Sequence, residues 1–255
     1  MDLDLKAKKA IVTGGTRGIG RAIAEQLAAE GCNVALCARH KPAVDETVAA
    51  LASRGVRSWG GAVDVADTKA LRAWVPQAAE ALGGLDIFVA NVSAFGMAID
   101  EDTWRRSFDI DVMGTVAGVE AAIPHLEKSS AGAIVVVGTT GALEMYGTGY
   151  VRPYAAVKAA LIPFVKGVAR SLAPKGVSAN LVSPGNIYFK GGVWNTVEES
   201  NPQGFKMMLS LNPMGRMGTP QEVANAAVFL ASPRASFITG ANLIIDGALT
   251  QRVPF

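Results

Sequence analysis

Tyr154 and Lys158 close the run Tyr154-Ala155-Ala156-Val157-Lys158. Downstream, Leu161, Ile162, Val165, Val168, Ala169 and Leu172 recur at helical spacing, and on a helix a four-residue separation stacks phenol and ammonium on one face, about 6 Å apart along the axis. A free tyrosine titrates near ~10, and a cation held close favours the phenolate and lowers that value. Such a tyrosine can pass a proton to or from an alcohol oxygen. A Tyr-x-x-x-Lys also arises by chance on many helices, so its meaning rests on the elements that position it.

Residues 9–13 form a short apolar run, closed at once by Gly14-Gly15-Thr16-Arg17-Gly18-Ile19-Gly20. Ile19, Ala22, Ile23, Ala24 and Leu27 then recur at helical spacing up to Gly31, so the order is strand, glycine-rich turn, helix. In that context glycines let the backbone approach a pyrophosphate, and the free amides at the positive end of the helix face its charge. A second strand, 33–37, runs into Ala38-Arg39-His40. An acid there would bind the adenosine 2′-hydroxyl, whereas Arg39 suits a 2′-phosphate, with Arg17 as a second cation. This points to NADP rather than NAD. His40 either joins that phosphate site or is an exposed loop residue.

The alternation continues. A helix over 43–54, a strand over 58–63 and Asp64-Val65 come next; Asp64 either accepts from an adenine amino group or caps the following helix. A helix over 68–82, a strand over 85–90 ending at Asn91, a long helix over 102–126 carrying Asp111, and a strand over 133–137 follow. That strand runs into Gly138-Thr139-Thr140-Gly141. Beyond the Tyr154 helix lie a strand over 177–182, a helix over 220–230 and a strand over 242–245. The pattern predicts an α/β fold, a parallel sheet doubly wound with helices on both faces, with ligands at the carboxyl ends of its strands. Thr139 and Thr140 sit at such an end, where a hydroxyl can donate to a carbonyl oxygen as negative charge develops. Residues 188–213 lack clean periodicity and carry Tyr188, Phe189, Trp194, Phe205, Met207 and Met208; they read as a lid over a pocket or as a loop packed on a neighbouring subunit. Phe95, Met97, Leu143, Met145, Tyr146, Phe189, Trp194 and Phe205 predict a largely apolar substrate pocket.

Composition narrows the partners. With 255 residues, 50% hydrophobic and 18% charged, one domain spanning 1–255 is expected. The net charge of +2 and the lack of a dense Lys/Arg block give no footprint for nucleic acid or an anionic membrane surface. The acidic start Met1-Asp2-Leu3-Asp4 does not resemble a signal peptide, and no apolar run approaches the ~20 residues a membrane span needs, so a cytoplasmic location is expected. Cys32 and Cys37 read as buried free thiols, and no metal site is indicated. The partners expected are a small molecule and further copies of the chain, with residues 252–255 candidates to reach a partner subunit.

Taken together, Thr13-Gly14-Gly15-Thr16-Arg17-Gly18-Ile19-Gly20, Asp64-Val65, Asn91, Tyr154-x-x-x-Lys158, Asn180 and Pro184-Gly185 resemble the short-chain dehydrogenase/reductase superfamily along nearly the whole chain. Within it the sequence looks most like the 3-oxoacyl-(acyl-carrier-protein) reductase-like branch. The resemblance implies a single Rossmann-type domain and a nicotinamide cofactor, with a homotetramer built on the helices at 102–126 and 154–172. It implies that Tyr154 is the general acid in reduction and the base in oxidation, and that Lys158 holds the nicotinamide ribose. The implied cofactor set is Gly14, Thr16, Arg17, Gly18, Ile19, Gly20, Arg39, His40, Asp64, Val65, Asn91, Lys158, Pro184, Gly185 and Ile187.

Several positions depart from the family pattern. Thr139 stands where the catalytic serine is expected, with Thr140 as the alternative. Asp111 stands where the family has an asparagine; an anion there stabilises Lys158 as a cation but disfavours the tyrosinate. Ala90-Asn91-Val92-Ser93 replaces Asn-Asn-Ala-Gly, and Phe189 replaces a hydroxyl residue that would bind the cofactor carboxamide. The expected function is an NADP(H)-dependent oxidoreductase interconverting a small-molecule carbonyl and a secondary alcohol, with Tyr154, Lys158, Thr139 and Asp111 in the catalytic set. A catalytically weak or inactive NADP(H)-binding protein, acting as a sensor or structural partner, is the rival.

Overall fold

A computed structural model describes residues 1–144 and 152–252. The elements are β1 (Lys9–Thr13), α1 (Gly18–Ala29), β2 (Asn33–Ala38), α2 (Lys41–Ala52), β3 (Ser58–Ala62), α3 (Thr68–Leu82), β4 (Ile87–Ala90), α4 (Glu101–Ser107), α5 (Gly114–Leu126), β5 (Gly132–Val137), α6 (Pro153–Ala159), α7 (Leu161–Leu172), β6 (Val177–Pro184), α8 (Val193–Ser200), α9 (Pro202–Ser210), α10 (Pro220–Ala231) and β7 (Asn242–Ile245). All seven strands form one parallel sheet in the order β3-β2-β1-β4-β5-β6-β7. The order reverses between β1 and β4, and that switch point opens a crevice at the carboxyl ends of the strands.

The sheet is wound on both faces because its central strands are apolar on both sides. β5, Gly-Ala-Ile-Val-Val-Val, is buried throughout, as parallel strands covered by helices require. Alternate residues feed two cores. Ile134 and Val136 of β5 pack with α3, α5 and α7 through Leu71, Val75, Ala117, Leu126, Leu161 and Val165. Ala133, Val135 and Val137 pack with α1, α2 and α10 through Ile23, Leu27, Val44, Leu51, Val223 and Val228. Cys32 and Cys37 lie in this interior, unpaired, and burial pushes both thiols up to about 12. No helix among the described residues is long and apolar enough to cross a membrane.

Three expectations about elements need correction. The helix expected over 102–126 is interrupted by a π-helical stretch, Phe108–Met113, which joins α4 to α5 and carries Asp111. Wide turns of this kind insert an extra residue and concentrate at functional sites. The Tyr154 helix is two segments, broken at Ala160. Residues 188–213 are not irregular: they hold α8 and α9, joined at Asn201, whose side chain accepts from the Gly204 amide while Pro202 starts the next helix. Helices of eight or nine residues are defined more by such caps than by a periodic stripe, so periodicity missed them.

Candidate active site

The carboxyl edges of β1, β4, β5 and β6 surround one site. β1 ends with Thr13 opposite Cys37 of β2, and the Gly14 and Gly15 amides both donate to the Cys37 carbonyl, at 2.8 and 3.3 Å. The glycine turn then enters α1, whose N-cap residue Arg17 makes no side-chain cap bond. Gly20 lets helix and strand approach: a Cβ there would lie 2.2 Å from the Gly14 carbonyl oxygen and 2.3 Å from Asn91 Nδ2. Asn91 braces the turn from β4, donating through Nδ2 to the carbonyls of Thr13 and Gly14, each at 3.2 Å, and through its amide to Thr13 Oγ1. Thr16 and Ile19 are half-buried in this turn.

Arg39 and His40 emerge exposed from the end of β2, beside the glycine turn. Asp64 is exposed after β3, and its Oδ1 accepts from the Ala66 amide. It does not cap α3: the cap is Asp67, which accepts from Lys69 and Ala70, because the chain needs one more turn after Asp64 to reach the helix start. Val65 is buried against Gly114, at the start of α5. On the opposite side Pro184 ends β6, the Gly185 amide donates to Ile245, and buried Ile187 bridges to Gly218. A glycine-lined helix N-terminus with the Arg39 cation just past the end of β2 fits a dinucleotide carrying an extra phosphate. No cluster of three His, Cys, Asp or Glu suited to a metal ion occurs among the described residues.

The charged centre is interior. Lys158 is 2% exposed, and its Nζ lies 3.2 Å from Asp111 Oδ1, donating also to the carbonyls of Val137 at 2.9 Å and Val92 at 3.3 Å. Asp111 is 0% exposed; its Oδ2 accepts from the Ala94 amide at 3.0 Å, and its own carbonyl accepts from Thr115 Oγ1. Removing two such charges from water costs several kcal/mol per ion, which only close pairing and full hydrogen bonding offset. Burial pulls the Lys158 ammonium below its ordinary range, and Asp111 opposes that shift.

Tyr154 behaves otherwise than the Lys158 spacing alone predicts. Its phenol is pushed up to about 12, first by burial and also by the Asp111 carboxylate, while the Thr139 hydroxyl pulls it down. The Lys158 charge is neutralised within the Asp111 pair and spent on two carbonyls, which leaves burial to dominate. Thr139 is thus the hydroxyl that opposes this rise. Its Oγ1 accepts from the Gly141 amide, and Thr140, 3% exposed, opens a short 3₁₀ turn. Phe95 covers the phenol ring at 4.6 Å between centroids, with its backbone at φ +50°, a left-handed conformation rare for an aromatic residue. The loop before α4 is fastened here: the Tyr154 amide donates to Gly96, and Arg152 Nη1 to the Met97 carbonyl at 2.8 Å.

Of the expected apolar pocket, Phe95 and Met97 stand on this loop and Leu143 follows Thr139, while Met145 and Tyr146 lie outside the described residues. Trp194 and Phe205 sit on α8 and α9, Phe205 edge-on to Tyr188 at 5.9 Å. The Phe189 ring lies on Gly18 of the glycine turn. Two further features carry no sequence signal. Tyr188 Oη donates to Glu198 and accepts from Asn195, pinning α8 to the end of β6. Glu144 accepts from the amides of Gln251 and Arg252, tying the C-terminal segment to the strand-five loop; residues 253–255 lie outside the described residues.

Known proteins share this layout. The family model described as enoyl-(acyl carrier protein) reductase matches residues 14–250. Isoepoxydon dehydrogenase patN of Penicillium expansum is 40% identical over 248 residues, 96% of this chain and 95% of that one. A short-chain dehydrogenase of Burkholderia cenocepacia, solved in complex with NADP, superposes with a TM-score of 0.88 at 33% identity, covering 96% of this chain and 98% of that one. L-Sorbose reductase of Gluconobacter frateurii, solved with NADPH and L-sorbose, superposes with a TM-score of 0.90 at 29% identity, covering 99% and 100%.

Proposed function

The chain belongs to the short-chain dehydrogenase/reductase family, and from that premise we propose that it is an NADP(H)-dependent oxidoreductase interconverting a small-molecule carbonyl and a secondary alcohol. The observation that carries the reading is the convergence of the Tyr154 phenol, the Thr139 hydroxyl and the buried Lys158–Asp111 pair. When bound, a dihydronicotinamide supplies the hydride. Thr139 donates to the substrate oxygen as charge builds on it, and Tyr154 delivers its proton to that oxygen. A phenol pushed up to about 12 is neutral at physiological pH, the form that gives a proton to the substrate oxygen in reduction.

Lys158 would hold the nicotinamide ribose by exchanging the longest of its three contacts, the Val92 carbonyl at 3.3 Å, for a ribose hydroxyl, while Asp111 keeps its ammonium charged in the interior. Arg39, with Arg17 of the glycine turn and His40 as further candidates, selects the 2′-phosphate, in keeping with the NADP and NADPH in the neighbours' complexes. Asn91 shapes the turn against the adenosine ribose, and Asp64 with Val65 meets the adenine. Gly14, Thr16, Gly18, Ile19 and Gly20 cradle the pyrophosphate, while Pro184, Gly185 and Ile187 close the nicotinamide end. Residues 188–213 serve as the substrate lid of a single domain. α4 and the π-helical stretch after it carry exposed Trp104 and Phe108, in a shallow groove with Ala156 of α6 and Ala160 beyond its end; covering that face supports the homotetramer.

Consumption of NADPH and NADH is to be followed against ketones, aldehydes, quinones, L-sorbose, isoepoxydon and 3-oxoacyl thioesters, with Tyr154→Phe beside wild type. Turnover with NADPH that vanishes in the variant supports the reading. Absence of turnover on every substrate, with NADPH still bound, would replace it with the binding-only protein.

A further inference from the structure

The ring of Phe189 is held between two glycines. A Cβ built on Gly18 would lie 2.6 to 3.1 Å from three of its ring atoms, and one on Gly192 would lie 2.8 to 3.0 Å from three. The ring therefore fills the concavity that the bare Gly18 backbone leaves at the start of α1. Such a glycine is where a pyrophosphate comes close to the chain. The ring's position follows from a tight turn. The Gly192 amide donates to the Phe189 carbonyl at 3.0 Å, and Gly191 between them has φ +75°, the third-position geometry of a type II turn that glycine adopts without strain. Beyond the turn neither α8 nor α9 has a buried residue. The turn carrying the ring is thus fastened by hydrogen bonds rather than by buried apolar contacts of the helices beyond it: the Tyr188 amide donates to the Gly218 carbonyl at 2.8 Å and the Gly191 amide to Asn195 Oδ1 at 2.9 Å, and the ring itself is half-buried. A phenyl ring offers nothing to a phosphate oxygen and shields the α1 amides from it.

We propose that Phe189 is a plug for the pyrophosphate cradle: its ring lies on Gly18, and the cofactor enters only after the Phe189–Gly192 turn has carried the ring away. The plug rests on the NADP(H) reading of the site. It makes loading a two-step event in which opening precedes binding. If the cradle is open about one-tenth of the time, the apparent affinity is roughly tenfold weaker than that of an unplugged cradle. Because the turn leads into α8, opening also shifts the start of the proposed lid.

The test is stopped-flow NADPH fluorescence on wild type, Phe189→Ala and Phe189→Thr. The plug predicts that the wild-type observed rate levels off with rising NADPH, set by opening, whereas both variants bind with a rate that climbs linearly. It also predicts an equilibrium affinity for the variants about five- to tenfold tighter, the gain expected when a minor open state becomes the only one. Variants that bind NADPH more weakly than wild type, or at the same rate with the same concentration dependence, overturn the plug and make the ring a wall of the loaded site; the oxidoreductase reading survives that outcome. Folded wild type and variants that all fail to bind NADPH overturn the plug and the NADP(H) reading together.

Discussion

The two sides of the crevice are held in opposite ways. On the β5–α6 side, Lys158 and Asp111 are almost wholly enclosed, and each polar contact runs to backbone or to the other charge. Across from it, α8 and α9 bury no residue and are tied by side-chain contacts such as Tyr188–Glu198 and Asn195–Glu199 near the surface. Burial fixes the first wall because breaking it exposes an unpaired charge to a low-dielectric interior. The second can move at small cost, because few apolar contacts are lost. On the proposed reading, proton chemistry belongs to the rigid wall, and entry and selection to the movable one.

Perturbing the rigid wall should give the larger effects. Tyr154→Phe removes the proton donor and should lower turnover by about 10²–10⁴, while the NADPH dissociation constant stays within about twofold, as fluorescence titration would report. Lys158→Ala leaves Asp111 buried without its cation and should cost about 3–5 kcal/mol in urea unfolding; the double variant with Asp111→Ala should recover part of that loss. Arg39→Ala should weaken NADPH binding by about tenfold or more, since a hydrogen bond to a charged group contributes about 1.5–3 kcal/mol, and should leave NADH binding little changed. On the movable side, Asn201→Ala removes the α9 cap and should cost at most about 1 kcal/mol, read as faster amide exchange confined to 193–210. A lid variant as costly as Lys158→Ala would erase the contrast.

Much of the fold is legible because its signals are local. The helix at 68–82 is closed by Gly83 in the left-handed conformation, so its end is written in residue types. β5 reads directly from its β-branched run. Other features depend on neighbours far along the chain. Asp64 and Asp67 both have the chemistry of a cap, and only the path of the turn after β3 decides between them. The direction of the Tyr154 shift reverses because burial and the Asp111 charge outweigh a spacing argument that sees Lys158 alone. Lys158 spends its donors on the carbonyls of Val92 and Val137, backbone groups that no side-chain pattern marks. That the Phe189 ring meets Gly18, far along the chain, follows from the turn at Gly191 and is marked by no local pattern.

The central claim is that burial and Asp111 keep Tyr154 a neutral acid, and the most direct test is the pH dependence of kcat/KM for carbonyl reduction in wild type and Asp111→Asn. Reduction needs the protonated phenol, so the rate is level below its pKa and falls as pH rises through it. With the phenol held up to about 12, the wild-type profile should stay level past pH ~10, where an ordinary tyrosine is already half ionised. Asp111→Asn removes a charge that raises the phenol, so its descending limb should begin at lower pH. A wild-type limb near neutrality, or a limb that Asp111→Asn leaves in place or moves upward, would contradict the account.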